Sequence, residues 1–207
     1  MVMQTVLCVA VWSVAASAVA ETIDFSADAV GQPPAGWHCG MTGRGAPRWT
    51  VEADPGAAAG KVLRQSGSAT FAWCIRSDAS LADGWVETKF KPLSGKEDQA
   101  GGVVWRWKDG DDYYVARANA LENNVSLYYT ARGIRKTLKY VDAPVAAGQW
   151  HTLRVEFAGT RIAVSLDGKR RIDFSDDHIT GAGSVGVWTK ADSVTAFAEF
   201  AYQAARP

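Results

Sequence analysis

Arg117 and Asn119 stand two residues apart in the run Tyr113-Tyr114-Val115-Ala116-Arg117-Ala118-Asn119. In an extended chain that spacing puts both on one face, with Tyr113 and Val115 beside them. Glu122, Asn123 and Asn124 follow at once, and Ser126 and Tyr128 continue on the face of Asn124. Guanidinium, amide and carboxylate groups side by side match the vicinal hydroxyls of a sugar. An aromatic ring takes the apolar face of a pyranose. Trp188 is the expected stacking platform, because Lys190 shares its strand face and Asp192 lies beside it. The expected ligand-binding set is therefore Arg117, Asn119, Glu122, Asn124, Trp188 and Lys190. The competing assignment is structural: Glu122-Asn123-Asn124 as a polar turn between two strands, with Arg117 paired to a carboxylate. A sugar on a shallow sheet surface buries little area, so affinity is expected between about micromolar and millimolar.

Other chemistries find less support. No G-x-S-x-G motif occurs, and Gly40, Gly43 and Gly45 are not followed by a phosphate-cradling Gly-Lys-Ser/Thr. The three histidines are scattered at 38, 151 and 178, with neither C-x-x-C nor H-E-x-x-H, so no metal ligand set is expected. Asp109, Asp111 and Asp112 surround Gly110 and offer hard oxygens for calcium, but Asp-Gly is also an ordinary hairpin turn and the remaining EF-hand ligands are missing. No cofactor is expected, calcium being the one candidate; Asp24 and Glu199 are further possible neighbours for it. Asp176-Asp177 beside His178 reads as a solvated turn, and Arg132, Arg135, Lys136, Lys139 and Lys169-Arg170-Arg171 as solvated strand edges.

The elements that must carry these residues are strands. No stretch of twelve residues holds an amphipathic helical period free of breakers, whereas two-residue periods recur. Val86, Thr88 and Phe90 alternate with charges, as do Leu153, Val155 and Phe157, then Ile162, Val164 and Leu166. Asp167-Gly168 predicts a tight hairpin in which both central residues take positive φ. Further strands are expected at 22–25, 47–53, 61–65, 69–75, 99–107, 112–118, 124–130, 133–141, 183–189 and 194–202. Segment 31–46, rich in Gly and Pro, reads as a loop over one edge. Trp105 and Trp107 are expected to share one strand face, with Val104 and Arg106 on the other. Many short strands at this spacing predict an all-β, two-sheet antiparallel sandwich.

Length and charge bound the rest. The 207 residues suit one domain, and 22 basic against 22 acidic side chains leave no field to hold nucleic acid or an anionic membrane. Residues 1–20 carry no charged side chain and end in Ala18-Val19-Ala20, the small-x-small pattern of a signal peptidase site. A signal peptide over 1–20 and one domain over 21–207 follow, with the mature protein secreted or periplasmic, off the membrane and monomeric. Cys8 leaves with the signal. Cys39 and Cys74 remain and, in an exported chain, can pair; two separately buried thiols are the alternative.

The runs Asp98-Gln99-Ala100-Gly101-Gly102-Val103-Val104-Trp105-Arg106 and Tyr113 to Val125 resemble the concanavalin A-like jelly-roll domains of bacterial exported proteins, nearest the DUF1080 or 3-keto-disaccharide hydrolase group. Trp150 to Glu156, Leu166 to Lys169 and Val185 to Ser193 are similar to the later strands of such domains, and Asp24-Phe25 and Phe197-Ala198-Glu199-Phe200 to their terminal pair. The resemblance spans roughly residues 22–202. It implies a jelly roll with a carbohydrate partner on its concave sheet. Family-16 glucanases of this fold carry an E-x-D-x-x-E strand that is absent here, so no acid/base pair carries over. A non-catalytic glycan-binding module is therefore the leading expectation. A hydrolase or lyase acting on a 3-keto-disaccharide is the alternative, since a ketone acidifies the neighbouring C–H and one base, such as His151 or Glu122, then suffices.

Overall fold

The computed structural model describes residues 20–205. The expected signal segment lies outside them except for Ala20. Fifteen strands follow in chain order. They are β1 (Glu21–Ile23), β2 (Trp37–Ala46), β3 (Trp49–Ala53), β4 (Lys61–Gln65), β5 (Ser68–Leu81), β6 (Gly84–Ser94), β7 (Ala100–Asp109) and β8 (Asp112–Asn119). Then come β9 (Asn124–Ala131), β10 (Ile134–Asp142), β11 (His151–Ala158), β12 (Arg161–Leu166), β13 (Lys169–Ser175), β14 (Gly183–Ala191) and β15 (Val194–Ala204). The described residues contain no α-helix. One eight-stranded sheet runs β13-β12-β11-β6-β15-β4-β3, with β1 also on β15, and a seven-stranded sheet runs β10-β9-β8-β7-β14-β5-β2. All pairings are antiparallel.

The two-residue period builds the core as expected. Val86, Phe90, Leu153, Val155, Phe157, Ile162, Val164 and Leu166 project from the larger sheet into the layer between the sheets. They meet Cys74, Val103, Trp105, Tyr114, Ala116, Leu127, Val185 and Val187 from the smaller one. Asp167 and Gly168 take φ of 51° and 73°, the conformation the hairpin turn needs. The other face of the smaller sheet is not simply polar. Trp73, Ile75, Val104, Tyr113, Val115, Tyr128 and Trp188 form a second buried cluster there, with Phe71 and Trp107 against it.

Two expectations are corrected. Trp105 and Trp107 do not share a face: Trp105 sits between the sheets and Trp107 on the outer cluster. The reason is a bulge after Trp105, where Arg106 takes φ 47° and the pairing with β8 slips. Arg106 turns inward instead, donating to the carbonyls of Ala82, Ile179 and Gly159. Segment 31–46 is not all loop either, since 37–46 is the edge strand β2 on β5. Its glycines serve close packing. A Cβ on Gly40 would lie 2.5 Å from the Trp73 ring, so only hydrogen fits between strand and indole. Gly40→Val is accordingly expected to destabilise the fold by about 2 kcal/mol through overpacking, measured by urea unfolding. An unchanged denaturation midpoint would show that Trp73 yields freely.

β2 is also held covalently. Cys39 and Cys74 are directly opposed across β2 and β5 and form a disulfide, with Cα atoms 3.9 Å apart.

Candidate functional site

The outer face of the smaller sheet gathers the polar residues expected at a sugar site. Ladder register sets Asn119 opposite Asn124 and Arg117 opposite Ser126 on β8 and β9. The turn between them is ordered by its own side chains. Asn119 accepts the Leu121 N–H at 2.9 Å, and Asn123 takes the left-handed φ of 49° that its short amide tolerates.

Arg117 is the hub. Its Nη1 donates to Asp98 Oδ2 at 2.9 Å and its Nη2 to Glu122 Oε2 at 2.6 Å. Lys190 Nζ reaches the same Asp98 oxygen at 2.9 Å. Asn124 Nδ2 bridges Glu122 at 2.7 Å and the Tyr140 hydroxyl at 2.8 Å, and its Oδ1 accepts from Ser126. Burial alone would raise the Glu122 pKa; the Asn124 amide and the Arg117 guanidinium outweigh it and hold the carboxyl below its ordinary value.

Depth divides the set. Arg117 is 3% exposed and Asp98 is fully buried, while Asn119 and Asn124 are also buried. Glu122 is 42% exposed, Lys190 28% and Tyr140 49%. Arg117, Asn119 and Asn124 thus lie beneath the groups that solvent reaches. Trp188 shares the face of Lys190 as expected, but it is fully buried under Phe71, whose ring stacks on it at 5.6 Å, and beside the Arg135 guanidinium. The aromatic rings open to solvent near the network are Tyr140 and, in part, Phe71.

Asp98, Tyr140 and Phe71 were not legible as site residues. Asp98 occupies the loop between β6 and β7, where Lys96-Glu97-Asp98 has the composition of a solvated turn. That loop is anchored by Asp192, which accepts the backbone N–H groups of Lys96, Glu97 and Asp98 at 2.7, 3.0 and 3.2 Å. Those N–H groups hold the Asp192 carboxyl below its ordinary value. Tyr140 reaches the face through a register shift between Thr137 and Lys139, which counting by twos does not foresee.

The remaining candidates serve the scaffold. His151 belongs to β11 of the other sheet, where its ring nitrogens meet Asp167 at 2.8 Å and the Ala146 backbone at 3.1 Å. It does not come together with Glu122. Asp176 is not in a solvated turn: it is buried, accepts from the Tyr114 hydroxyl and bonds His178 Nδ1 at 2.8 Å. Asp109 and Asp112 accept backbone N–H groups of Asp111 and Arg132 at neighbouring turns. Among the described residues, no three His, Cys, Asp or Glu side chains gather closely enough to hold a metal ion.

No family model matches the chain, that of the 3-keto-disaccharide hydrolases included, and no curated protein matches it. Solved structures do. A carbohydrate-binding module, CBM66 from Bacillus subtilis, superposes with a TM-score of 0.65 at 22% identity over 81% of this chain and 95% of that one. A lichenase from a mouse hindgut metagenome gives 0.61 at 12% over 89% and 98%. The beta-glucanase of Bacillus licheniformis gives 0.58 at 14% over 86% and 96%. At such identities the likeness is one of architecture, and this architecture hosts binding and cleaving proteins alike. The chain has the concanavalin A-like jelly-roll fold.

Proposed function

We propose that the chain is an exported carbohydrate-binding module that holds a glycan on the outer face of its smaller sheet. One observation carries the reading. A buried ion-paired layer, Asp98 and Arg117, holds Glu122 and Lys190 at the surface beside the exposed Tyr140. Such a layer preorganises hydrogen-bonding groups and a ring, the pairing that sugar hydroxyls and a pyranose face require. The disulfide supports an oxidising compartment, where such bonds persist. Both carboxylates are engaged by Arg117, and Asp98 is wholly buried, which favours holding the site over proton transfer.

The test is a panel of plain glycans and 3-keto-disaccharides, followed for both binding and product. With whichever glycan binds, Glu122→Gln is expected to weaken affinity roughly tenfold, because a charge-assisted hydrogen bond becomes a neutral one. Its melting temperature should change far less. Binding should hold at pH 5 and be lost only as pH falls below 4.5. The Glu122 pKa is lowered from 4.5, so its charged form is complete above that value and is lost as pH drops through the lower folded-state value. Unaltered affinity of Glu122→Gln would remove this face from the argument, and product formation would replace binding by catalysis.

A further inference from the structure

Next to Lys190 the outer face opens into a groove of about 420 Å³, lined by Arg44, Thr70, Phe71, Glu97 and Arg135 among others. Arg135 is the feature that needs explaining. Its expected place was a solvated strand edge, where Lys136 and Lys139 of β10 do lie. Instead its guanidinium folds back over the sheet, 4.2 Å from the Tyr128 ring centroid and 4.6 Å from that of Phe71. No carboxylate pairs with it among the described residues, and its buried Nη1 makes no hydrogen bond. Burial pulls its pKa below the ordinary value, a desolvation that a bound anion would offset. Arg44, exposed in the same lining, likewise has no ion-pair partner among the described residues; its backbone N–H and carbonyl bond the Thr70 hydroxyl. The lining thus holds Arg44, Arg135 and Lys190 against the single carboxylate of Glu97.

The half-buried Arg135 guanidinium, with no carboxylate paired to it, carries a desolvation cost, while the exposed Arg44 stays hydrated and free to meet a ligand. The Phe71 and Tyr128 rings cover the guanidinium and Nη1 is buried, so the remaining N–H groups are the polar contact it can offer the groove it lines. Those groups fit a planar or tripodal oxyanion. We infer that the groove receives an anionic substituent of the bound glycan, a uronate carboxylate or a sulfate ester, held by Arg135 with Arg44. The inference rests on the glycan-binding reading and deepens it: the Glu122–Lys190–Tyr140 surface takes the sugar, and the groove selects acidic sugars over neutral ones.

Three trisaccharides of matched length test it by calorimetry on the full chain: galactotriose, trigalacturonate and an O-sulfated galactotriose. At low salt at least one charged ligand should bind roughly tenfold or more tightly than the neutral one. That preference should shrink in about 0.5 M salt and vanish in Arg135→Gln. Which charged arm wins identifies the oxyanion. Should Arg135→Gln not fold, the methyl ester of trigalacturonate on unaltered protein decides: loss of the preference supports the groove, retention overturns it. Equal affinity for charged and neutral ligands, or a preference that survives in folded Arg135→Gln, overturns the inference while leaving glycan binding intact. Binding of none of the three also overturns it, and the wider glycan panel then decides whether the binding reading stands.

Discussion

Arg117→Ala should destabilise the protein by about 3 kcal/mol or more and abolish glycan binding at the same time. Its partner Asp98 is fully buried, and removing the cation leaves that carboxylate with half its compensation. Lys190 still donates to the same Asp98 oxygen, which keeps the loss toward the lower end of the range for broken buried pairs. For a chain of this size the melting temperature should fall by roughly 10 °C. Glu122 loses its bond to Arg117 and keeps only the Asn124 amide, so the proposed sugar-binding surface loses its fixed carboxylate as well. Because Asp98 and Arg117 are directly bonded, Asp98→Asn combined with Arg117→Ala should cost clearly less than the sum of the two single changes. Thermal and urea unfolding of the three variants measure this. Additive losses, or a melting temperature of Arg117→Ala close to that of the parent, would remove the hub from the account.

Loss of the Cys39–Cys74 bridge is the second large effect. The closed segment separates its cysteines by 35 positions. In the chain-entropy description a loop of that size contributes about 4 kcal/mol. Cys39→Ala with Cys74→Ala, which avoids burying new hydroxyls, should show that loss in urea unfolding. The damage should be local first. β2 is an edge strand held on one side only, by β5, and its ladder slips between Thr42 and Gly45. Amide exchange in 37–46 should therefore accelerate before the rest of the smaller sheet responds. Uniform acceleration across both sheets would show that the bridge stabilises the whole sandwich and not its edge. Two free thiols in protein recovered from an oxidising compartment would overturn the pairing itself.

Alternation and turn chemistry were sufficient to place most of the fold. Val86-Thr88-Phe90, Leu153-Val155-Phe157 and Ile162-Val164-Leu166 each report a buried face locally, because the side-chain period of a strand is two and the hydrophobic effect needs no named partner. Asp167-Gly168 reports its own turn, since few residue pairs tolerate two positive φ angles. The shared face of Arg117 and Asn119 was readable for the same reason. Reading failed where parity is broken. The bulge at Arg106 separates Trp105 from Trp107, and the slip before Lys139 brings Tyr140 onto the site; both depend on how neighbouring strands twist and pair. β2 was missed because its glycines, normally breakers, admit close neighbours on β5: the Trp73 ring at Gly40, the Thr70 side chain at Gly43 and the Ser68–Ala69 backbone at Gly45.

The site divides along the same line. That Arg117, Asn119, Glu122 and Asn124 form one polar group at a strand turn is a property of the chain itself, fixed by spacing within thirteen residues of Tyr113. Which of them face solvent is not. Asp98 comes from a loop held by Asp192, Lys190 from β14, and Arg135 and Tyr140 from β10. Asp98 and Lys190 arrive through contacts distant in sequence, and Arg135 and Tyr140 through the β9–β10 hairpin and its register slip. Burial of a charge is decided by the partners that surround it, and those partners exist as neighbours only once the sheet has closed around them.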